Sequence, residues 1–177
     1  MTKLLGAILA GGQSRRFGSD KAAALLDGRP LIEHVAEALA RDCDALVVCG
    51  RSHAAIPFLA DLPRPGLGPL GGLCAALLHG RDHGFEAVLS APCDVPDLPA
   101  GLLARLSARP ASYVAGLPVI GLWPCTLADG LRAHLDAQDD RSMRYWACVA
   151  NAVPVALDQP PANINTPEAL RAYRRPD

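Results

Sequence analysis

Lysine is almost missing from this chain: fifteen arginines stand against two lysines, Lys3 and Lys21. Net charge is nearly missing too, at −1, so no global basic field draws nucleic acid to the surface and any affinity for anions must be local. Half of the residues are hydrophobic, yet no unbroken apolar run approaches the ~20 residues that a membrane span requires. No C-x-x-C pair occurs among the six cysteines, Cys43, Cys49, Cys74, Cys93, Cys125 and Cys148. Most of them lie in apolar surroundings and read as small core residues in a reducing compartment rather than as a structural zinc site. The opening Met1-Thr2-Lys3-Leu4-Leu5-Gly6 runs into a glycine-rich loop too soon to be a signal peptide. The expectation is a cytoplasmic chain of 177 residues folded as one domain, with neither nucleic acid nor membrane as a partner.

What is present is concentrated in Leu9-Ala10-Gly11-Gly12-Gln13-Ser14-Arg15-Arg16-Phe17-Gly18-Ser19-Asp20-Lys21. An apolar run from Leu4 to Ala10 stops at two glycines, passes a hydroxyl and two arginines, and closes on Asp-Lys. Glycines let backbone N–H groups approach a bulky anion with no Cβ in the way. Ser14 adds a donor, Arg15 and Arg16 add forked positive charge, and Lys21 adds a compact mobile cation. In so arginine-biased a chain, a lysine at the end of this loop departs from the background. A Walker A loop is excluded, because Ser19 and Asp20 separate Gly18 from Lys21 and Ala22 follows. The dinucleotide pattern G-x-G-x-x-G is absent as well.

Apolar runs alternate with amphipathic stretches, which predicts α/β architecture with a mainly parallel sheet. Strands are expected at Leu4 to Leu9, Ala45 to Cys49 and Ala87 to Ser90, with Tyr113 to Val114, Leu117 to Leu122 and Val153 to Leu157 extended. Ala22 to Leu26 reads as a short extended segment ended by an Asp27-Gly28 turn. Pro30 starts a helix whose inner face is Leu31, Ile32, Val35, Ala36 and Leu39. Further helices are expected from Gly68 to about Leu78, from Pro99 through Leu106, across Leu127, Leu131 and Leu135, over Ser142 to Ala150, and from Pro167. The proline-rich stretch from Arg51 to Gly68 reads as a loop around a short helix. The glycines of Gly68-Pro69-Leu70-Gly71-Gly72 suit either tight helix–strand packing or backbone approach to a ligand. Ala87 to Ser90 delivers Pro92-Cys93-Asp94 at its carboxyl end, where open α/β sheets keep their ligands. Asp97 reads as a turn cap, Trp123 and Trp146 as core, and His79 with His83 as surface residues at a helix end interrupted by Gly80 and Gly84. At strand periodicity Asn163 and Asn165 share a side opposite Ile164, and Thr166-Pro167 supplies an N-cap and first turn.

The loop resembles the signature L-A-G-G-x-S/A-x-R-x-G-x-D-K of nucleotidyltransferases, most closely that of molybdenum cofactor guanylyltransferases. The resemblance runs from Leu4 to Leu39, resumes at Gly68 to Gly72 and at Ser90 to Pro96, and returns at Asn163 to Leu170. It implies a three-layer α/β/α sandwich of the nucleotide-diphospho-sugar transferase type, with a nucleotide part over about 1–98 and an acceptor part over about 99–177. It implies transfer of GMP from GTP to molybdopterin with release of pyrophosphate, aided by magnesium or manganese. By the same resemblance Lys21, Arg15 and Asp94 are catalytic, and Asp94 holds the metal. Leu9, Ala10, Gly11, Gly12, Ser14, Lys21, Asp61, Gly68 and Asp94 contact the nucleotide, and Asn163, Asn165 and Arg141 face the acceptor. Asp61 could accept from both N1–H and N2–H₂ of guanine, a pairing that cytosine does not offer. Where the family often has an asparagine after the second strand, this chain has Cys49-Gly50.

Three rivals stand beside this. A cytidylyltransferase for the same cofactor and a sugar-phosphate nucleotidyltransferase share the loop, though the Gly11-Gly12 pair and Asn-x-Asn-Thr-Pro favour guanylyl transfer. A non-catalytic nucleotide-binding chaperone for molybdoenzymes is the third, disfavoured by retention of both Lys21 and Asp94. Transient contact with proteins that supply molybdopterin or receive the product is expected of the enzyme.

Overall fold

A central sheet of 7 strands carries the fold, in the order β5-β4-β1-β6-β8-β7-β9. The computed structural model describes residues 3–11, 23–53, 56–106, 111–138 and 140–173. The strands are β1 (Leu4–Leu9), β4 (Ala45–Cys49), β5 (Phe58–Leu59), β6 (Ala87–Pro92), β7 (Ser112–Val114), β8 (Leu117–Pro124) and β9 (Val153–Val155), with β2 (Leu25–Leu26) and β3 (Arg29–Pro30) forming a separate hairpin. Pairing is parallel from β5 through β4 and β1 to β6, and β7 pairs parallel with β9. β8 runs antiparallel to both of its neighbours, so the sheet is mainly parallel, as predicted.

The alternation along β1 explains the layers. Leu5, Ala7 and Leu9 belong to a core with helix α2 (Gly68–Asp82), α4 (Ala128–Ala137) and α5 (Met143–Val149). Leu4 and Ile8 face the other way, into a core with α1 (Leu31–Ala40) and α3 (Leu102–Leu106). Successive side chains of a strand point to opposite faces, so a wholly buried strand must have both faces covered. Trp123 and Trp146 are both buried in the first core, as predicted. Inside it the Trp123 indole donates to Ser90 Oγ at 3.0 Å, and Ser90 donates on to the Val119 carbonyl at 2.8 Å, so β6 and β8 are tied by satisfied buried polar groups. Among the described residues no helix is long and apolar enough to cross a membrane.

Several expectations need correction. The stretch after Gly50 holds no helix among its described residues; it forms β5, which extends the sheet beside β4. On α1 the buried residues include His34 and Ala38, while Ala36 is only half-buried. His34 tolerates burial because its Nε2 lies 2.9 Å from the carbonyl of Leu26. α2 runs on to Asp82 through Gly80, where a Cβ would sit 2.9 Å from Cys125 Sγ; packing, and not helix breaking, accounts for that glycine. β6 continues to Pro92, α3 begins at Leu102, and β9 ends at Val155. Cys49, Cys74 and Cys125 are buried, but Cys148 is exposed, and none of the six cysteines is in a disulfide. Burial pushes the thiols of Cys43 and Cys49 up to about 12 and those of Cys74 and Cys125 to about 11.

Candidate functional site

Three strands end level with one another. The last residue of β1, Leu9, pairs with Cys49 at the end of β4 and with Pro92 at the end of β6. The Ala10 N–H donates to the Cys49 carbonyl at 3.0 Å, and the Cys93 N–H donates to the Leu9 carbonyl at 3.4 Å. β1 leads through α1 on one face to β4 on one side, whereas α2 on the opposite face leads to β6 on the other side. Such a reversal opens a crevice at the carboxyl ends of the strands, and here it opens beside β1, at Gly11.

Gly11 is wedged on its β4 side. Gly50, at φ +86, approaches so closely that a Cβ on it would stand 2.3 Å from the Gly11 Cα, and a Cβ on Gly11 would stand 3.5 Å from Asp61 Oδ1. Asp61 follows β5 and packs against the first turn of α2, where the Leu62 N–H donates to the Gly71 carbonyl at 3.2 Å. The α2 glycines differ in what surrounds them. A Cβ on Gly72 would meet Cys49 Cβ at 2.8 Å and Leu9 Cδ2 at 3.2 Å, so Gly72 serves helix–strand packing. Gly68, at φ +64, has open space at its Cβ position, so its left-handed backbone and not packing calls for glycine there.

Asp61 Oδ1 is buried and has no hydrogen-bond partner among the described residues. Burial pushes this carboxyl above the ordinary 3.8, and a bond from the Gly66 N–H pulls it part of the way back. An acid raised by folding keeps its proton in a pH window where the unfolded chain has lost it, so stability falls as pH rises through that window and the penalty is complete above it. Asp61→Asn is therefore expected to raise the melting temperature at pH 7, with the gain shrinking as pH falls toward 3.8. Melting curves of both proteins over that range check it; an equal or lower melting temperature at pH 7 contradicts it.

On the far side of β1, Asp94 stands two residues beyond β6. The Ile164 N–H donates to the Asp94 carbonyl at 2.9 Å, which brings the Asn163-Ile164-Asn165 segment to this strand tip. Ile164 is 1% exposed in a small core with Leu26 and Leu31, while Asn163 and Asn165 are exposed on either side of it. Thr166 caps α6 (Pro167–Ala172) as predicted, its Oγ1 accepting from the Ala169 N–H at 3.1 Å. Asp97 is not a turn cap; its carboxylate accepts from the Tyr173 hydroxyl. Arg141 is exposed ahead of α5, with no hydrogen bond or ion pair to another described residue. His79 and His83 stack, ring centroids 3.9 Å apart, and no group of three or more metal-ligating side chains occurs among the described residues. Gly12, Ser14, Arg15 and Lys21 lie outside the described residues, as does the expectation that Lys21 and Asp94 face one nucleotide.

Thus Leu9, Ala10, Gly11, Asp61, Gly68, Asp94 and the two asparagines gather around one end of the sheet. The links that sequence reasoning missed are Gly50 against Gly11, Ile164 on Asp94, and Tyr173 on Asp97. Of these, burial of Ile164 between two polar neighbours was foreshadowed by strand periodicity.

The MobA-like NTP transferase domain matches residues 6–153. A molybdenum cofactor guanylyltransferase from Rhizobium leguminosarum bv. trifolii is 32% identical over 194 residues, spanning 98% of this chain and 93% of the relative. One from Rhodobacter capsulatus is 37% identical over 179 residues, spanning 95% and 93%. The crystal structure of molybdopterin-guanine dinucleotide biosynthesis protein A from Archaeoglobus fulgidus superposes with a TM-score of 0.74 at 23% identity, covering 96% of this chain and 95% of that one, a likeness of fold. With a family domain over most of its length and relatives matched nearly end to end, the chain belongs to the MobA-like NTP transferase family.

Proposed function

We propose that this protein transfers GMP from GTP to the terminal phosphate of molybdopterin, releasing pyrophosphate. The carrying observation is the arrangement around Gly11: the loop leaves β1 between Asp61 on the β4 side and Asp94 on the β6 side, with Asn163 and Asn165 beside Asp94. The names of the near full-length relatives give the nucleotide and the acceptor.

The acceptor phosphate oxygen forms a bond to the α-phosphorus in line as the bond from that phosphorus to the pyrophosphate oxygen breaks. That oxygen is already anionic near neutral pH, so no strong general base is needed. The chain's task is alignment and charge neutralisation. Backbone groups from Leu9 to Gly12 and the Ser14 hydroxyl hold the phosphates, while Arg15 and Lys21 meet negative charge on the reacting phosphorus and the departing pyrophosphate. The unpartnered Asp61 oxygen accepts from the guanine edge, and the open backbone at Gly68 lets the base lie close. Asn163 and Asn165 orient the pterin phosphate, and Arg141 supplies it with a cation from the surface.

The residues present suit a divalent ion. Asp94 offers a hard carboxylate at the strand tip, and magnesium on nucleotides takes one or two protein carboxylates, with phosphates and water completing the shell. When bound, the ion, magnesium or manganese, neutralises phosphate charge.

Incubation with purified molybdopterin and labelled GTP is expected to place label in a dinucleotide with release of pyrophosphate, at rates well above those with CTP or ATP. Equal or faster transfer from CTP would instead indicate a cytidylyltransferase. Tight GTP binding with no turnover would indicate a carrier.

A further inference from the structure

The segment from Asn163 to Tyr173 is tied to the loop that follows β6 at Asp94 and at Asp97, and it packs on the hairpin side between them. Ile164 donates its N–H to the Asp94 carbonyl at 2.9 Å. Nine residues on, Tyr173 donates its hydroxyl to Asp97 Oδ2 at 2.5 Å, a bond between side chains 76 positions apart in sequence. Between them Ile164, Ala169, Leu170 and Tyr173 pack on Leu26 and Leu31, at the hairpin that follows the glycine-rich loop. Whereas the Asp94 tie is between backbone groups, the Asp97 bond joins two side chains. It is partly buried, where such a bond is stronger than on the open surface.

We infer that Tyr173 and Asp97 are positioning residues for the acceptor: their hydrogen bond latches the closing segment to the Asp94 loop and so fixes Asn163 and Asn165 relative to Asp94. Without the latch, α6 keeps its Thr166 cap and its apolar contacts, but the asparagines gain freedom at the moment the acceptor must be held in line. Neither side chain needs to touch substrate. The inference rests on the function proposed above, in which the asparagines hold the acceptor.

Steady-state kinetics of the full chain, with GTP and molybdopterin varied separately, test it in Tyr173→Phe, Asp97→Ala, the double variant and Asp97→Asn. Tyr173→Phe and Asp97→Ala are each expected to raise KM for molybdopterin about three- to tenfold, the scale of one net hydrogen bond, with KM for GTP changed less than about twofold. The double variant should be no worse than either single one, because one bond is lost in all three. Asp97→Asn keeps an accepting oxygen and should restore most of the loss. Additive losses, both KM values rising together, or an unchanged KM for molybdopterin would overturn the latch. If the wild-type protein forms no dinucleotide, the proposed function fails, and the latch is then judged by amide exchange: Tyr173→Phe should speed exchange at Ile164 and leave β1 unchanged. An unaltered Ile164 rate would overturn it.

Discussion

Asp94→Ala is expected to lower turnover by about two to four orders of magnitude while leaving the melting temperature within a few degrees, the scale of losing a major electrostatic contact in a transition state. In Asp94 a backbone tie is separate from the role proposed for the carboxylate. Its carbonyl accepts the Ile164 N–H, and alanine keeps that carbonyl, so the closing segment stays attached. Only the carboxylate is removed. Lys21→Ala removes the mobile cation proposed to meet the same developing charge and should cost a similar factor. If the two side chains neutralise one reacting triphosphate, the double variant should lose less than the product of the single losses, since groups that act together are not additive. Pyrophosphate release under saturating GTP and molybdopterin checks all three. Near-normal turnover in a folded Asp94→Ala protein would remove the carboxylate from the mechanism.

Strong local patterns made much of the fold legible. β1 and β6 are buried throughout and β4 over Val47, Val48 and Cys49, and the ends of all three are marked by Gly11, Gly50 and the Cys93-Asp94 turn. The Asp27-Gly28 turn was readable because both residues must adopt positive φ, at 53° and 79°, which glycine and aspartate tolerate better than most. β5 escaped notice since two residues have no period, and its place beside β4 is decided by pairing with a strand already formed. His34 was absent from the expected inner face for a related reason. A histidine counts as polar in a helical pattern, yet with positions 31, 35 and 38 position 34 lies on the inner face, where the Leu26 carbonyl helps to satisfy the ring. The site divided along the same line. Motif residues announce themselves locally, whereas the Asp97–Tyr173 bond and the Gly50–Gly11 contact depend on which strand ends are brought level, a property of register that no local window contains.

That second contact carries the other large expected effect. Gly50→Ala should both destabilise the protein and impair GTP binding. At φ +86 a residue with a Cβ is strained, by about 1–3 kcal/mol, which corresponds to a fall of roughly 2 to 12 °C in melting temperature for a domain of this size. The added methyl would also stand 2.3 Å from the Gly11 Cα and 2.6 Å from the Gly11 nitrogen. Both are backbone atoms, so no rotamer change relieves the clash, and Gly11 itself must move away from Asp61. The loop proposed to hold the phosphates begins at that residue, so KM for GTP should rise about tenfold or more, in keeping with the cost of displacing a binding group by an ångström. Gly28→Ala supplies the control. Gly28 has φ +79 with nothing within 4 Å of its Cβ position, so it bears the backbone strain without the collision. Its variant should melt lower yet keep a normal KM for GTP. Equal KM values in the two variants would mean that closeness of Gly50 to Gly11 has no part in binding the nucleotide.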